Sequence, residues 1–179
     1  KIQDIKAALN LMDNLPERFK NIKKIQKLFI HCHYDSGDTE KFFKDLLVDT
    51  TTDLSRYYFF YSNYFLKKGN KLKAKKILNI ALKKYPRNLL LNQLKVDINF
   101  DNNLTDQFNC KNVAEVVGEI FYITANALAA TNNYTASNFY LNLANYLNPK
   151  FSSFKTLHAE NLFAIKKLMK LKKIYNQIK

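Results

Sequence analysis

At 179 residues the chain fits one domain with a sizeable core. Gly and Pro number three each, which suits a mostly helical protein and excludes low-complexity or linker-rich organisation. The net charge of +14 invites a polyanion partner, nucleic acid or anionic lipid. Lys, Asn, Ile, Tyr and Phe are all abundant, however, and Trp is absent. An AT-rich genome drifts toward that composition, and drifted lysines simply solvate helix faces.

No apolar run approaches the roughly 18 residues of a membrane span, so no spanning segment is expected. No signal segment is visible either. Cys32 and Cys110 are far apart and indicate no disulfide framework.

In chain order, residues 2–13 carry Ile2, Ile5, Ala8, Leu9 and Met12 at helical spacing, and Asn14 and Pro16 punctuate them. Residues 17–33 form a second helix with Phe19, Ile22, Ile25, Leu28, Phe29 and Cys32 as its apolar stripe. The cluster Asp35-Ser36-Gly37-Asp38 predicts a turn. Thr39 to Val48 is a third helix, with Phe42, Phe43, Leu46 and Leu47 inward. Asp53 or Thr52 is placed to cap the next helix, which begins near Leu54.

Residues 55–88 read as two short helices and a tight turn. Tyr58, Tyr61, Ser62 and Phe65 share one face. Lys67-Lys68-Gly69-Asn70 breaks the pattern; lysines suit a helix C-terminus, and Gly accepts the left-handed conformation that ends a helix. Ala74, Ile77, Leu78, Ala81 and Leu82 resume at helical spacing, and Pro86 discourages continuation. The small residues Ser62, Ala74 and Ala81 allow the two helices to approach closely.

Leu89 to Val96 continues as a helix with Leu89, Leu90, Leu94 and Val96 available for packing. The Asn- and Asp-rich stretch from Asp101 to Asn112 is irregular. Val113 to Ala130 and Tyr134 to Leu147 form the next helix pair, and Phe151 to Met169 with Leu171 to Ile178 the last, about ten helices in all.

The order of residues in 55–88 resembles the tetratricopeptide repeat, a helix–turn–helix unit of about 34 residues. That family places a bulky residue fourth, a small one eighth, an aromatic eleventh, then Ala, a bulky residue, Ala and finally Pro. Those places hold Tyr58, Ser62, Phe65, Ala74, Leu78, Ala81 and Pro86. The frame returns over 118–151 with Phe121, Ala125, Leu128, Ser137, Leu141, Ala144 and Pro149. A weaker copy over 152–179 holds Ala159, Leu162, Leu171, Tyr175 and Ile178, with Leu171 where the family has Ala. Residues 17–50 and 89–117 would be degenerate copies. The resemblance implies an all-α fold, a right-handed α-solenoid of antiparallel helix pairs, as one domain over 1–179. The chain opens at Lys1 and stops inside a repeat without a polar cap, so it is expected to be a fragment of a longer array. The segment 108–162 is also similar to exported alphaproteobacterial proteins of this family. That similarity rests on Glu119-Ile120-Phe121-Tyr122, Ala125-Asn126 and the run Ser137 to Phe151, and it implies a bacterial envelope location.

In this family the first helix of each unit lines a concave groove. The lining places hold Arg56, Phe59, Asn63 and Leu66, then Glu119, Tyr122, Asn126 and Ala129, then Ser153, Thr156, Glu160 and Phe163. Aromatic anchors with amides between them suit an extended or helical peptide. Asn63 and Asn126 match the amides of a known carboxylate-clamping subgroup, but Phe59 and Tyr122 stand where that clamp needs Lys. The expected function is therefore a non-catalytic scaffold for a protein or peptide partner, with no cofactor. The rival is a basic module that binds nucleic acid or another polyanion through Lys67, Lys68, Lys71, Lys73, Lys75 and Lys76, with Lys83 and Lys84 nearby.

Little else carries chemistry. His31, Cys32 and His33 are adjacent on a helix and point in divergent directions, so they cannot close on one metal ion. Cys110 has no base beside it, His158 has no motif around it, and neither a glycine-rich phosphate loop nor a catalytic pair of carboxylates is present. No enzyme is expected. Asn103-Leu104-Thr105 and Asn133-Tyr134-Thr135 match the N-glycosylation acceptor, a match that arises by chance in an Asn-rich chain.

Overall fold

The computed structural model describes residues 5–17, 20–48, 53–100 and 107–165. Among the described residues all regular structure is α-helical. The elements are α1 (Ile5–Asp13), α2 (Lys20–Tyr34), α3 (Thr39–Leu47), α4 (Ser55–Lys67), α5 (Lys71–Lys84), α6 (Leu89–Asn99), α7 (Val113–Ala130), α8 (Tyr134–Leu147) and α9 (Ser152–Ala164). The expected helix at 171–178, with Leu171, Tyr175 and Ile178, lies outside the described residues.

The sequence reads as one domain, whereas the chain divides into two compact units, Lys1–Thr105 and Asp106–Lys179. In the first unit α4 packs on α3, α5 and α6, and α2 packs on α1 and α3. In the second, α8 packs on α7 and α9.

One turn recurs in both units. Just past the end of α4 stands Gly69, whose φ is +72°. The Gly69 N–H donates to the Leu66 carbonyl and the Asn70 N–H to the Phe65 carbonyl, each at 2.9 Å. This double bond pattern satisfies two carbonyls that a helix end otherwise leaves unpaired. Asn70 then starts α5, accepting from the Lys73 N–H at 3.0 Å. One asparagine therefore closes one helix and opens the next. In the second unit Asn132 takes the left-handed place at φ +60°. The Asn132 and Asn133 N–H groups donate to the Ala129 and Leu128 carbonyls, each at 2.9 Å. Asn133 caps α8 by accepting from the Ala136 N–H at 3.3 Å. The α2 end follows the same pattern: Asp35 is left-handed at φ +51°, and the Asp35 and Ser36 N–H groups donate to the Cys32 and His31 carbonyls. Asp35 and Gly69 are 34 residues apart.

The helix pairs close on their small residues. Ser62, Ala74 and Ala81 in the first unit, and Ala125, Ser137 and Ala144 in the second, are each 0% exposed. Leu78 and Leu141 are buried beside them. Gly118, near the middle of α7, marks a further close approach: a Cβ there would stand 3.3 Å from the Ala144 carbonyl and 3.4 Å from the Leu147 Cβ. A helix-interior Gly costs about 1 kcal/mol relative to Ala, and the contact with α8 is what it secures.

Three expectations change. Helix α4 is buried around most of its circumference, with Tyr57, Phe59 and Phe60 interior alongside Tyr61, Ser62 and Phe65. Phe43 stacks on Tyr61 at 4.6 Å between ring centres, and Phe60 meets Phe29 of α2 edge-on at 6.2 Å. A helix apolar on all sides must be enclosed by its neighbours, and α4 is. In α6 the packing face is Leu91, Leu94 and Ile98, whereas Leu89 is 84% exposed and Val96 is also exposed. Leu89 follows the cap residue Asn88, whose side chain accepts from the Leu91 N–H, and at two residues before Leu91 it lies on the opposite side of the helix. Finally, α7 is 18 residues long and apolar enough by length and composition to cross a membrane. It carries Glu115 and Glu119, both buried, and packs against α8 and α9.

Two substitutions test the packing. Ala144→Leu should lower the unfolding free energy by about 1–3 kcal/mol through overpacking, read from the urea midpoint; an unchanged midpoint would mean that α7 and α8 do not meet closely. Ser62→Ala should have the opposite sign. The Ser62 hydroxyl is buried without a hydrogen-bond partner, and the equivalent residue is Ala125, so removing it should raise stability by about 1 kcal/mol.

Candidate binding surfaces

The groove-lining residues expected in the first unit are mostly interior. Phe59 is 4% exposed and Asn63 is 7% exposed. Arg56 and Leu66 are half-buried. The Arg56 guanidinium lies 5.4 Å above the Phe60 ring. Phe59 packs edge-on against Phe60 with ring centres 5.8 Å apart. These side chains build the core around α4, and Phe59 and Asn63 do not offer contact area to a partner. Periodicity placed them on a second helical face correctly, but that face is covered.

The second unit keeps its expected residues accessible. On α7, Tyr122 is half-buried, with its ring centre 5.5 Å from that of Phe154 on α9. Asn126, one turn further, is exposed. On α9, Thr156 and Glu160 are exposed, and Phe163 is 66% exposed. Helices α7 and α9 pack against each other. Glu119, one turn before Tyr122, is instead fully buried. Asn161 is also buried. It donates to the Ser137 hydroxyl at 2.7 Å and to the Asn138 side-chain oxygen at 3.0 Å, locking α9 onto α8. The Ser137 place, read from sequence only as a small residue, thus has a second role. Its polar character was the available signal.

The lysine cluster divides into two kinds. Lys68 pairs with Asp35 at 2.9 Å and stands 4.7 Å above the Tyr64 ring. Lys73 pairs with Glu40 at 2.6 Å and stands 4.4 Å above the Phe65 ring. Both tie the α4–α5 hairpin to the α2–α3 hairpin. Lys67 and Lys71 also engage neighbours. Within this cluster, Lys75, Lys76 and Lys83 make no ion pair and are open to a partner. The Tyr61 hydroxyl is pushed well above its usual range, first by burial and then by the Glu40 carboxylate.

The remaining candidates have structural surroundings. His31 stacks on Phe42 with ring centres 4.0 Å apart, and its Nδ1 bonds the Ser36 hydroxyl. Burial holds its pKa below the ordinary value of 6.5. His33 stands edge-on to Tyr34. Among the described residues no group of three His, Cys, Asp or Glu is placed to hold a metal ion. The expectation, from their spacing, of no disulfide framework is corrected: neither Cys32 nor Cys110 is a free thiol.

Glu40 gives a pH prediction. The hydrogen bond from Lys73, and then that from Lys44, holds its carboxyl below the ordinary 4.5. A folded-state pKa below the unfolded one contributes stability that is complete above about 4.5 and is lost as pH falls through the lower folded value. Glu40→Gln should therefore destabilise the protein at pH 7, and the difference from the native chain should vanish below that value. Urea denaturation at pH 7 and pH 3 checks it; an undiminished difference at pH 3 would remove the ion pair as its cause. The pair is partly exposed, so the effect should also shrink in high salt.

No family model, curated protein or solved structure matches this chain.

Proposed function

We propose that this chain is a non-catalytic helical-repeat module of tetratricopeptide type that binds a protein or peptide segment. In this reading its helix pairs are antiparallel and stack with a right-handed twist. The supporting observation is the recurrence of one hairpin at a 63-residue offset. The left-handed residue, the asparagine cap and the three fully buried small side chains all repeat at that offset. Repeated hairpins of this kind expose long helix faces, and recognition is their commonest use.

The proposed contact surface is the α7–α9 face of the second unit, with Tyr122, Asn126, Glu160 and Phe163. Phe163 supplies an exposed apolar anchor and Tyr122 a partly covered one. Asn126 offers both a donor and an acceptor to a peptide backbone. Glu160 favours a segment that carries a basic group. Arg56, Phe59, Asn63 and Leu66 serve the framework in this reading, which moves the contact away from α4.

The test is a pull-down from source-cell lysate at moderate salt with the native chain and a Phe163→Glu/Asn126→Lys variant, both checked for helicity. A protein retained by the native chain should fall at least about tenfold with the variant, as expected when an interface anchor is lost. Identical protein recovery by both chains would defeat the α7–α9 assignment.

A further inference from the structure

The +14 charge is not spread along the chain. Between Leu54 and Val96 there are eleven Lys or Arg residues and no Asp or Glu, so this one segment carries eleven of the fourteen net charges. From Ile120 to Pro149 there is no charged residue at all. The two equivalent hairpins differ completely in charge.

The segregated charge has a definite place. The buried face of α5 is Ala74, Ile77, Leu78 and Ala81. Opposite it run Leu72, Lys76, Asn79 and Lys83, with Lys75 and Ile80 on the flanks. Leu72 is 68% exposed and Ile80 is 58% exposed. They stand about 12 Å apart along the axis, with Lys76 between them. No aromatic residue occurs in α5. Tyr85, which follows it, is engaged: its hydroxyl accepts from the Leu54 N–H at 3.3 Å, and the Lys84 ammonium lies 5.2 Å above its ring.

We propose that the outer face of α5 is a peripheral docking surface for an anionic lipid bilayer. Lys75, Lys76 and Lys83 meet the acidic headgroups, while Leu72 and Ile80 enter the headgroup–acyl boundary. Charge complementarity selects an anionic partner. The side chains between the lysines then select the kind. Single-stranded nucleic acid is held by aromatic platforms on which bases stack, and α5 has none. Exposed aliphatic side chains among lysines on one helix face are what an interfacial helix uses. This inference concerns residues other than those of the α7–α9 surface, and either can fail alone.

The experiment is co-sedimentation with large vesicles of phosphatidylcholine, with and without about 30% phosphatidylserine, at two salt concentrations. The native chain should sediment with the phosphatidylserine vesicles, weakly at high salt, and not with phosphatidylcholine alone. Lys76→Glu/Lys83→Glu should lower partitioning at least about tenfold. Leu72→Ser/Ile80→Ser keeps the charge and should lower it about five- to tenfold. Both pairs are on the solvent face, and circular dichroism checks that helicity is unchanged. The proposal is overturned if the native chain ignores anionic vesicles at low salt. It is also overturned if the Leu72/Ile80 variant binds them as well as the native chain does. Binding of a single-stranded oligonucleotide that displaces the vesicles and is unaffected by Leu72→Ser/Ile80→Ser would assign the face to nucleic acid instead.

Discussion

The close approach of paired helices at side chains no larger than serine is the constraint on which the rest of the structure depends. Ala74 and Ala81 in α5, and Ser137 and Ala144 in α8, have no exposed surface at all. In α4–α5 and α7–α8 a short connection joins the two closely packed helices. The left-handed Gly69 and Asn132, each followed by an asparagine cap, make that connection with every turn amide given a partner. Once the approach and the turn are fixed, each large side chain has one direction left. Leu78 and Leu141 fill the seam. The opposite side of α5 or α8 faces water and is released from packing.

That division of labour decides how much was legible in the sequence. The sequence pattern places α7 at Val113 to Ala130 and α8 at Tyr134 to Leu147; the structure caps them with Asn112 and Asn133, and caps act within a few residues of themselves. The turn chemistry at Gly69 was equally local. The fate of Phe59 and Asn63 was not. Helical periodicity says which residues share a face, but the number of neighbours around a helix is a tertiary fact. Helix α4 has α3, α5 and α6 against it, so a face that would line a groove in a two-neighbour helix became core. The same reasoning accounts for Leu89. Hydrophobicity suggested packing, whereas the register set by Asn88 gives that role to Leu91, Leu94 and Ile98. The polar pairing of Asn161 with Ser137 joins residues 24 positions apart, and no local pattern announces such a bond.

Electrostatics then separates the lysines that build from those that reach outward. Lys68 and Lys73 have acidic partners supplied by the α2–α3 hairpin, together with an aromatic face beneath each ammonium. Their charge is already used to hold helices together, so a count of lysines overstates what a polyanion would meet. Partly exposed pairs of this kind contribute modestly to stability. Their larger effect is to fix which cations remain available: the α5 face, where no acid lies nearby in sequence.

Helices α5 and α8 make the final step possible, because they form a controlled comparison within one chain. They share length, an N-cap asparagine, buried small residues and a seam leucine, so the fold places similar demands on both. On the water side α5 presents Leu72, Lys76, Asn79 and Lys83, while α8 presents Thr135, Phe139, Asn142 and Tyr146. Asparagine is retained at the third place, and the other three change chemistry. Phe139 and Tyr146 are exposed with no charge between them. All eight positions are exposed, Phe139 also meeting Tyr140 edge-on, so packing constrains them weakly. The two faces therefore offer different chemistry to solution, and the cationic, aliphatic face of α5 has the more defined chemistry of the two.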